Sequence, residues 1–323
     1  MNRKDLYTAF EEIDDEILER SEHKEKKTRK SIWLRWGAIA ACFFLFVSMT
    51  LTAEATTGAV SNLLAPLFGT TQTEIVDNIG IPVGVSASAD GYTLTCDAII
   101  GDRYSVAIVY TLSRDDGQPI PEGVNFGHWT PDIRAGGSHG AYLSKVTCED
   151  DPSKLYFVMG ANNCAPVIGK LTTVSFDKLE MQDEDGNCTL LANGPWKLKF
   201  TLRYKDATVK VPVTKREVTD AGGEQYRIKN ILLSPVGLHI DARWYNPISL
   251  AVTESICKDF QVSIKFTDGT TLVLENYNKS TNFKTGSKTA DYDYTALFDV
   301  PVDLDTVQAL IICGCEYPVT ISS

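Results

Sequence analysis

The sequence predicts a mainly β protein carried on one membrane-spanning helix: a short N-terminal helix, a transmembrane helix, then two antiparallel β-sandwich domains. Three observations lead there. The run Trp36 to Ala53 (WGAIAACFFLFVSMTLTA) has no charged residue and divides the 323-residue chain into a 35-residue head and a large body. The head carries a single helical stripe of apolar residues. The body breaks into short alternating runs separated by Gly, Asp and Asn turns, about every 10 to 15 residues, with little helical period. The segments read as 1–30 (helix and basic spacer), 32–53 (transmembrane helix), 54–83 (membrane-proximal linker), 84–215 (first β-sandwich) and 216–323 (second β-sandwich).

In the head, Leu6, Phe10, Ile13 and Ile17 recur at spacings of four, three and four, and Ala9 and Leu18 widen the stripe. Glu11, Glu12, Asp14, Asp15, Glu16 and Glu19 occupy the other side. A helix of about 17 residues is marginal in isolation. Its acidic face disfavours an anionic leaflet. The expected resting place of the stripe is a groove on a partner protein, with the i, i+4, i+7 and i+11 residues as anchors.

As a helix, Trp36 to Ala53 spans about 27 Å, and Ile32, Trp33 and Leu34 extend it to about 33 Å. A hydrocarbon core is about 30 Å thick. Phe43, Phe44 and Phe46 favour insertion, Trp33 and Trp36 suit the interfacial aromatic belt, and Arg35 can snorkel to the headgroups. Residues 20–35 hold seven Lys or Arg against two Glu, whereas 54–80 holds no Lys or Arg. The positive-inside rule therefore expects a cytoplasmic N-terminus and extracellular C-terminal domains, a type II single-pass protein. The competing reading is a cleaved signal peptide, because Ala53-Glu54-Ala55 has the small-x-small form. It would make the body an exported β-sandwich binding or adhesion protein.

The net charge is −11, and the head holds nine basic and nine acidic residues, so the excess acid belongs to the body. That argues against direct nucleic-acid binding. Within 54–83, Leu63, Leu64, Leu67 and Phe68 suit a short helix. Tyr92 to Ile100, the turn Gly101-Asp102 and Tyr104 to Leu112 read as a hairpin. Further strands are expected at 155–159, 171–176, 196–204 and 208–213, then at 225–233, 237–244, 260–266, 271–275, 292–298 and 307–313. In WKLKFTLRY (196–204) the alternation turns Lys197, Lys199, Thr201 and Arg203 away from the core. Residues 118–141 read as a loop-rich insertion carrying His128 and His139.

The search for chemistry returns no catalytic residue, metal site or cofactor motif. His239 reads as an ordinary strand residue, and no nucleophile–base pair can be assigned. Asp183-Glu184-Asp185-Gly186-Asn187 reads as a turn rather than a calcium loop, since Met181 and Ala192 would fall at the first and last ligand positions. Seven cysteines follow the apolar run, with Cys313 and Cys315 expected on one face of a strand.

Asp5 to Ile17 (DLYTAFEEIDDEI), followed by a basic stretch and by Trp36 to Cys42 (WGAIAAC), resembles the head and anchor of a family of membrane-anchored bacterial regulators of extracytoplasmic-function sigma factors. Tyr92-Thr-Leu-Thr with Asp102, and Leu233-Ser-Pro-Val-Gly-Leu238, fit the outer part of that family, an immunoglobulin-like β domain often followed by a second. The resemblance implies an anti-sigma role. Leu6, Phe10, Ile13, Asp14, Asp15 and Ile17 would contact the sigma factor, and the outer domains would respond to an extracellular ligand or protein. The head lacks the zinc-binding H-x-x-x-C-x-x-C motif of better-known anti-sigma factors.

Overall fold

The computed structural model describes residues 59–69, 72–136, 139–147, 151–183, 186–245, 259–274, 278–283 and 289–320. The head helix and the apolar run lie outside them. Among the described residues no helix is long and apolar enough to cross a membrane. What is described is mainly β, in antiparallel sheets.

Three short helices come first: Ala59–Leu63 (α1), Ala65–Phe68 (α2) and Thr73–Ile79 (α3). Eight strands follow: Ile81–Ala89 (β1), Tyr92–Gly101 (β2), Ser105–Arg114 (β3), Val124–Ile133 (β4), His139–Thr147 (β5), Lys154–Asn163 (β6), Leu171–Gln182 (β7) and Cys188–Thr201 (β8). They form a five-stranded sheet, β1-β2-β3-β6-β5, and a three-stranded sheet, β4-β7-β8. Inward side chains of both sheets share one core, in which Tyr110 meets Phe176 edge-on at 5.3 Å and Phe126 lies 4.9 Å from Phe157. Trp196 is fully buried there and donates its indole N–H to the Tyr92 carbonyl at 3.0 Å, as a buried indole must.

The second series is Val209–Lys210 (β9), Glu217–Thr219 (β10), Gln225–Ser234 (β11), Gly237–Tyr245 (β12), Val262–Phe266 (β13), Thr271–Val273 (β14), Asn278–Phe283 (β15), Thr289–Leu297 (β16), Val307–Ile312 (β17) and Cys315–Pro318 (β18). One sheet runs β10-β11-β12-β16-β15, with β9 also on β11, and the other β14-β13-β17-β18. Their core is aromatic: Phe260 lies 4.9 Å from both Tyr226 and Tyr292. The chain joins this core early, since β9 pairs with β11 and Val211 is buried in it.

Three expectations need correction. Residues 118–141 are not a loop-rich insertion: β4 occupies 124–133 and β5 starts at 139. Pro131 is admitted because β4 is the edge of its sheet, where no partner needs a donor on one side. The stretch 54–83 is no simple linker over its described part. Leu64, Phe68, Val76 and Ile79 are buried, and β1 begins at Ile81. Finally, Cys313 and Cys315 do not share one strand. Cys313 and Gly314 have φ of 47° and 75° and form the two-residue turn between β17 and β18, closed by the pair Ile312–Cys315.

A third apolar cluster joins the two β bodies. It unites Leu64, Phe68, Val76 and Ile79 of the helical stretch with Ala98, Ile100, Ala107, Val109 and Val158 of the five-stranded sheet, and with Val236 and Leu297 of the second body. Consequently β3 is covered on both faces. Val106, Ile108, Tyr110 and Leu112 point into the first core, while Ala107 and Val109 point into the seam.

Candidate functional site

Beside that apolar seam, the tip of the β2–β3 hairpin builds a polar joint. Asp102 is 3% exposed, and its Oδ1 accepts the backbone N–H groups of Tyr104 and Ser105 at 2.8 and 2.7 Å. Aspartate is well suited to this position because its short side chain can reach back to amides two and three residues on. The other oxygen, Oδ2, faces the second body, where it lies 3.2 Å from the Ser234 hydroxyl. Ser234 Oγ is also 3.2 Å from the Gly237 carbonyl and accepts the Val236 N–H at 3.2 Å. The approach demands a glycine at 237, since a Cβ there would sit 2.5 Å from Asp102 Oδ2 and 2.8 Å from the Ala296 carbonyl. The Tyr204 hydroxyl reaches the carbonyls of Asp102 (2.9 Å) and Ser105 (3.1 Å) and braces the hairpin tip from behind.

Two residues along the tip from Asp102, a ring crosses the joint. Tyr104 stacks on His239 with centroids 3.9 Å apart and planes 9° from parallel. His239 is 4% exposed; its Nδ1 lies 3.4 Å from Thr295 Oγ1 and its Nε2 3.9 Å from Asp293 Oδ1. Around it stand Asp241, Asp291 and Asp293, balanced by Lys229, 3.2 Å from Asp241 and 2.7 Å from Asp291, and by Arg243, 3.4 Å from Asp291. Burial lowers the His239 pKa to about 4. Burial raises Asp293 to about 6, with Asp241 and Asp291 adding to the rise and Lys229 opposing it. At neutral pH the 3.9 Å contact is therefore a neutral imidazole beside a carboxylate, not an ion pair. Asp102 is also pushed up to about 6 by burial, against the two amides and the Ser234 hydroxyl that favour its charged form.

The Asp102–Ser234 part of the joint is closed to solvent. Ser234 is 1% exposed and its hydroxyl is engaged by Asp102, Val236 and Gly237. No family model matches the chain, and no curated protein matches it. Among solved structures it is similar to the conserved domain protein from Bacillus anthracis, at 14% identity and a TM-score of 0.48, covering 80% of this chain and 81% of that one.

The residues singled out in the sequence fall in different places. Leu6, Phe10, Ile13, Asp14, Asp15 and Ile17, and the anchor residues Trp33, Arg35, Trp36, Phe43, Phe44 and Phe46, lie outside the described residues. His128 is on β4, 64% exposed, with Nδ1 2.8 Å from an oxygen of Asp177, itself 49% exposed. Among the described residues no three His, Cys, Asp or Glu come together as a metal site would require. Asp183, just after β7, accepts from the Asn187 backbone N–H at 2.7 Å, next to the pair Gln182–Cys188. The residues of the joint itself were not anticipated as a group. Asp102 reads as a turn residue, and its partner Ser234 is 132 positions away. The two body motifs, Asp102 and Leu233 to Leu238, nevertheless meet at this point.

Proposed function

We propose that this chain is a single-pass membrane regulator that binds an extracytoplasmic-function sigma factor through its cytoplasmic helix. Its outer part, read as two immunoglobulin-like β-sandwich domains, senses an envelope signal. The observation that carries the reading is the apolar stripe Leu6, Phe10, Ile13 and Ile17 on the basic side of a single charge-free run. Such a stripe, with nothing in its own head to pack against, needs an external groove. The packing of residues 59–79 into the seam supports a relay. The segment that leads into the body is fixed to both β bodies at once, so a change at either one reaches it.

Co-purification from membranes tests this. The full chain is expected to bring down a sigma factor, and Phe10→Asp/Ile13→Asp to lose it. Equal recovery by both chains, or capture by neither, refutes the reading. The Ala53-Glu54-Ala55 sequence favours a second reading, an exported β-sandwich binding or adhesion protein. N-terminal sequencing of the mature chain decides between them: a start at Thr56 removes the regulator model.

A further inference from the structure

We propose that the outer face of β8 binds a linear, base-free polyol phosphate polymer with one phosphodiester per repeat, laid along the strand. Trp196, Leu198, Phe200, Leu202 and Tyr204 are buried in the first core, while the intervening Lys197, Lys199, Arg203 and Lys205 are exposed. The alternation continues past the end of β8 because Leu202 donates its N–H to the Lys170 carbonyl at 3.0 Å. Outward side chains on a strand repeat about every 7 Å, so Lys197, Lys199 and Thr201 form one column on β8, and Arg203 and Lys205 continue the exposed alternation just past its end. Lys197, Lys199 and Arg203 are each bracketed by buried core residues, which fixes their spacing, and Lys205 follows the buried Tyr204.

Charge sets this column apart. Residues 196–205 hold four basic residues and no acid, in a body that carries the whole net charge of −11. Arg103, Lys154, Lys229 and Lys265 are engaged in ion pairs. Among the described residues none of the four basic residues of 196–205 is so engaged. The Debye length is about 8 Å at physiological salt, so an approaching polymer feels the column more than acid beyond that range; of the nearby carboxylates, Asp206 is held by Arg103 at 2.9 Å and Asp132 stands two strands from Lys199. Beside it, Thr173 pairs with Lys199 and Ser175 with Lys197, which lines the cations with hydroxyls able to bond phosphate oxygens. The positive charge is one-dimensional: on β4 the same rows end in Thr130 and Asp132. That shape fits a single extended chain with one charge per repeat better than a planar anionic leaflet.

The inference stands without the sigma-factor reading, since its test compares substitutions confined to the body while the basic head stays unchanged. Full-length chain in neutral detergent is titrated against end-labelled poly(glycerol phosphate), followed by fluorescence anisotropy over a salt series. Binding is expected to weaken with salt. Lys197→Gln/Lys199→Gln is expected to lower the affinity roughly tenfold or more near 0.1 M salt, and to reduce the log–log salt slope by about 1.4, from about 0.7 per phosphate contact. Lys197→Arg/Lys199→Arg should restore binding, and Lys145→Gln/Lys210→Gln, the same charge change on β5 and β9, should leave it intact. The proposal is overturned by no binding, by equal loss in the two Gln pairs, or by binding to anionic vesicles but not to the polymer.

Discussion

Replacing Gly237 by alanine tests the joint with one methyl group. The added Cβ meets the Asp102 carboxylate at 2.5 Å and the Ala296 carbonyl at 2.8 Å, both closer than carbon and oxygen can approach. The backbone carbonyl belongs to β16 and cannot retreat without disturbing the pair Leu238–Ala296. The carboxylate can retreat only by giving up Ser234 or the two amides. Overpacking of this kind costs about 1–3 kcal/mol, and a lost bond to a buried charged group costs about 1–3 more. The variant should therefore lose about 2–6 kcal/mol. Urea unfolding of the full chain, followed by tryptophan fluorescence, reads the loss, with Trp196 in the first core and Trp244 in the second. Asp102→Ala removes one of the two clashes, so the double variant should show a coupling of about 1 kcal/mol or more. A Gly237→Ala chain within about 0.5 kcal/mol of wild type, or strict additivity with Asp102→Ala, would refute the account of the joint.

Two further outcomes concern pH and the seam. Burial raises Asp97, Asp102 and Asp293 from 3.8 to about 6, so the folded chain holds protons that the unfolded chain has released, and their contribution to stability is lost as pH rises through about 6. His239 works the other way. Lowered from 6.5 to about 4, it contributes stability above 6.5 that is lost as pH falls toward 4. Melting temperature against pH should accordingly show Asp293→Asn declining less between about pH 4 and 6 than wild type, and His239→Gln losing less on acidification. In the seam, Leu64→Ala removes a fully buried side chain and should cost about 2–5 kcal/mol. Hydrogen exchange should quicken in residues 59–79 well before it does in β2 and β3.

The strands most legible in the sequence are those whose environment is set locally. WKLKFTLRY alternates because β8 has one wet and one dry face, and the Asp268-Gly269 turn between β13 and β14 follows from side chains two residues apart, as Thr270 N–H donates to Asp268 Oδ1 at 2.8 Å. β4 was obscured because register shifts at His128 break its alternation and Pro131 and Gly127 mimic a loop. The helical stretch was visible only as Leu63 to Phe68. Its burial depends on Val236 and Leu297, far along the chain. A clue to the seam did exist: Val106-Ala-Ile-Val109 is an unbroken apolar run, the signature of a strand covered on both faces. The joint left no such trace, because a buried aspartate and a turn aspartate look alike until Ser234 is placed beside one of them.

The helices α1 to α3 have five, four and seven residues, each too short to persist without the surface it covers. They are also the first described elements that any pull arriving from residues before 59 would load. Under tension they would give way before the two β bodies, as a mechanical fuse does. Their unwinding would uncover Ala107, Val109 and Val158 while Trp196 and Trp244 stayed packed, so the chain could lengthen by several turns of helix with both aromatic cores intact.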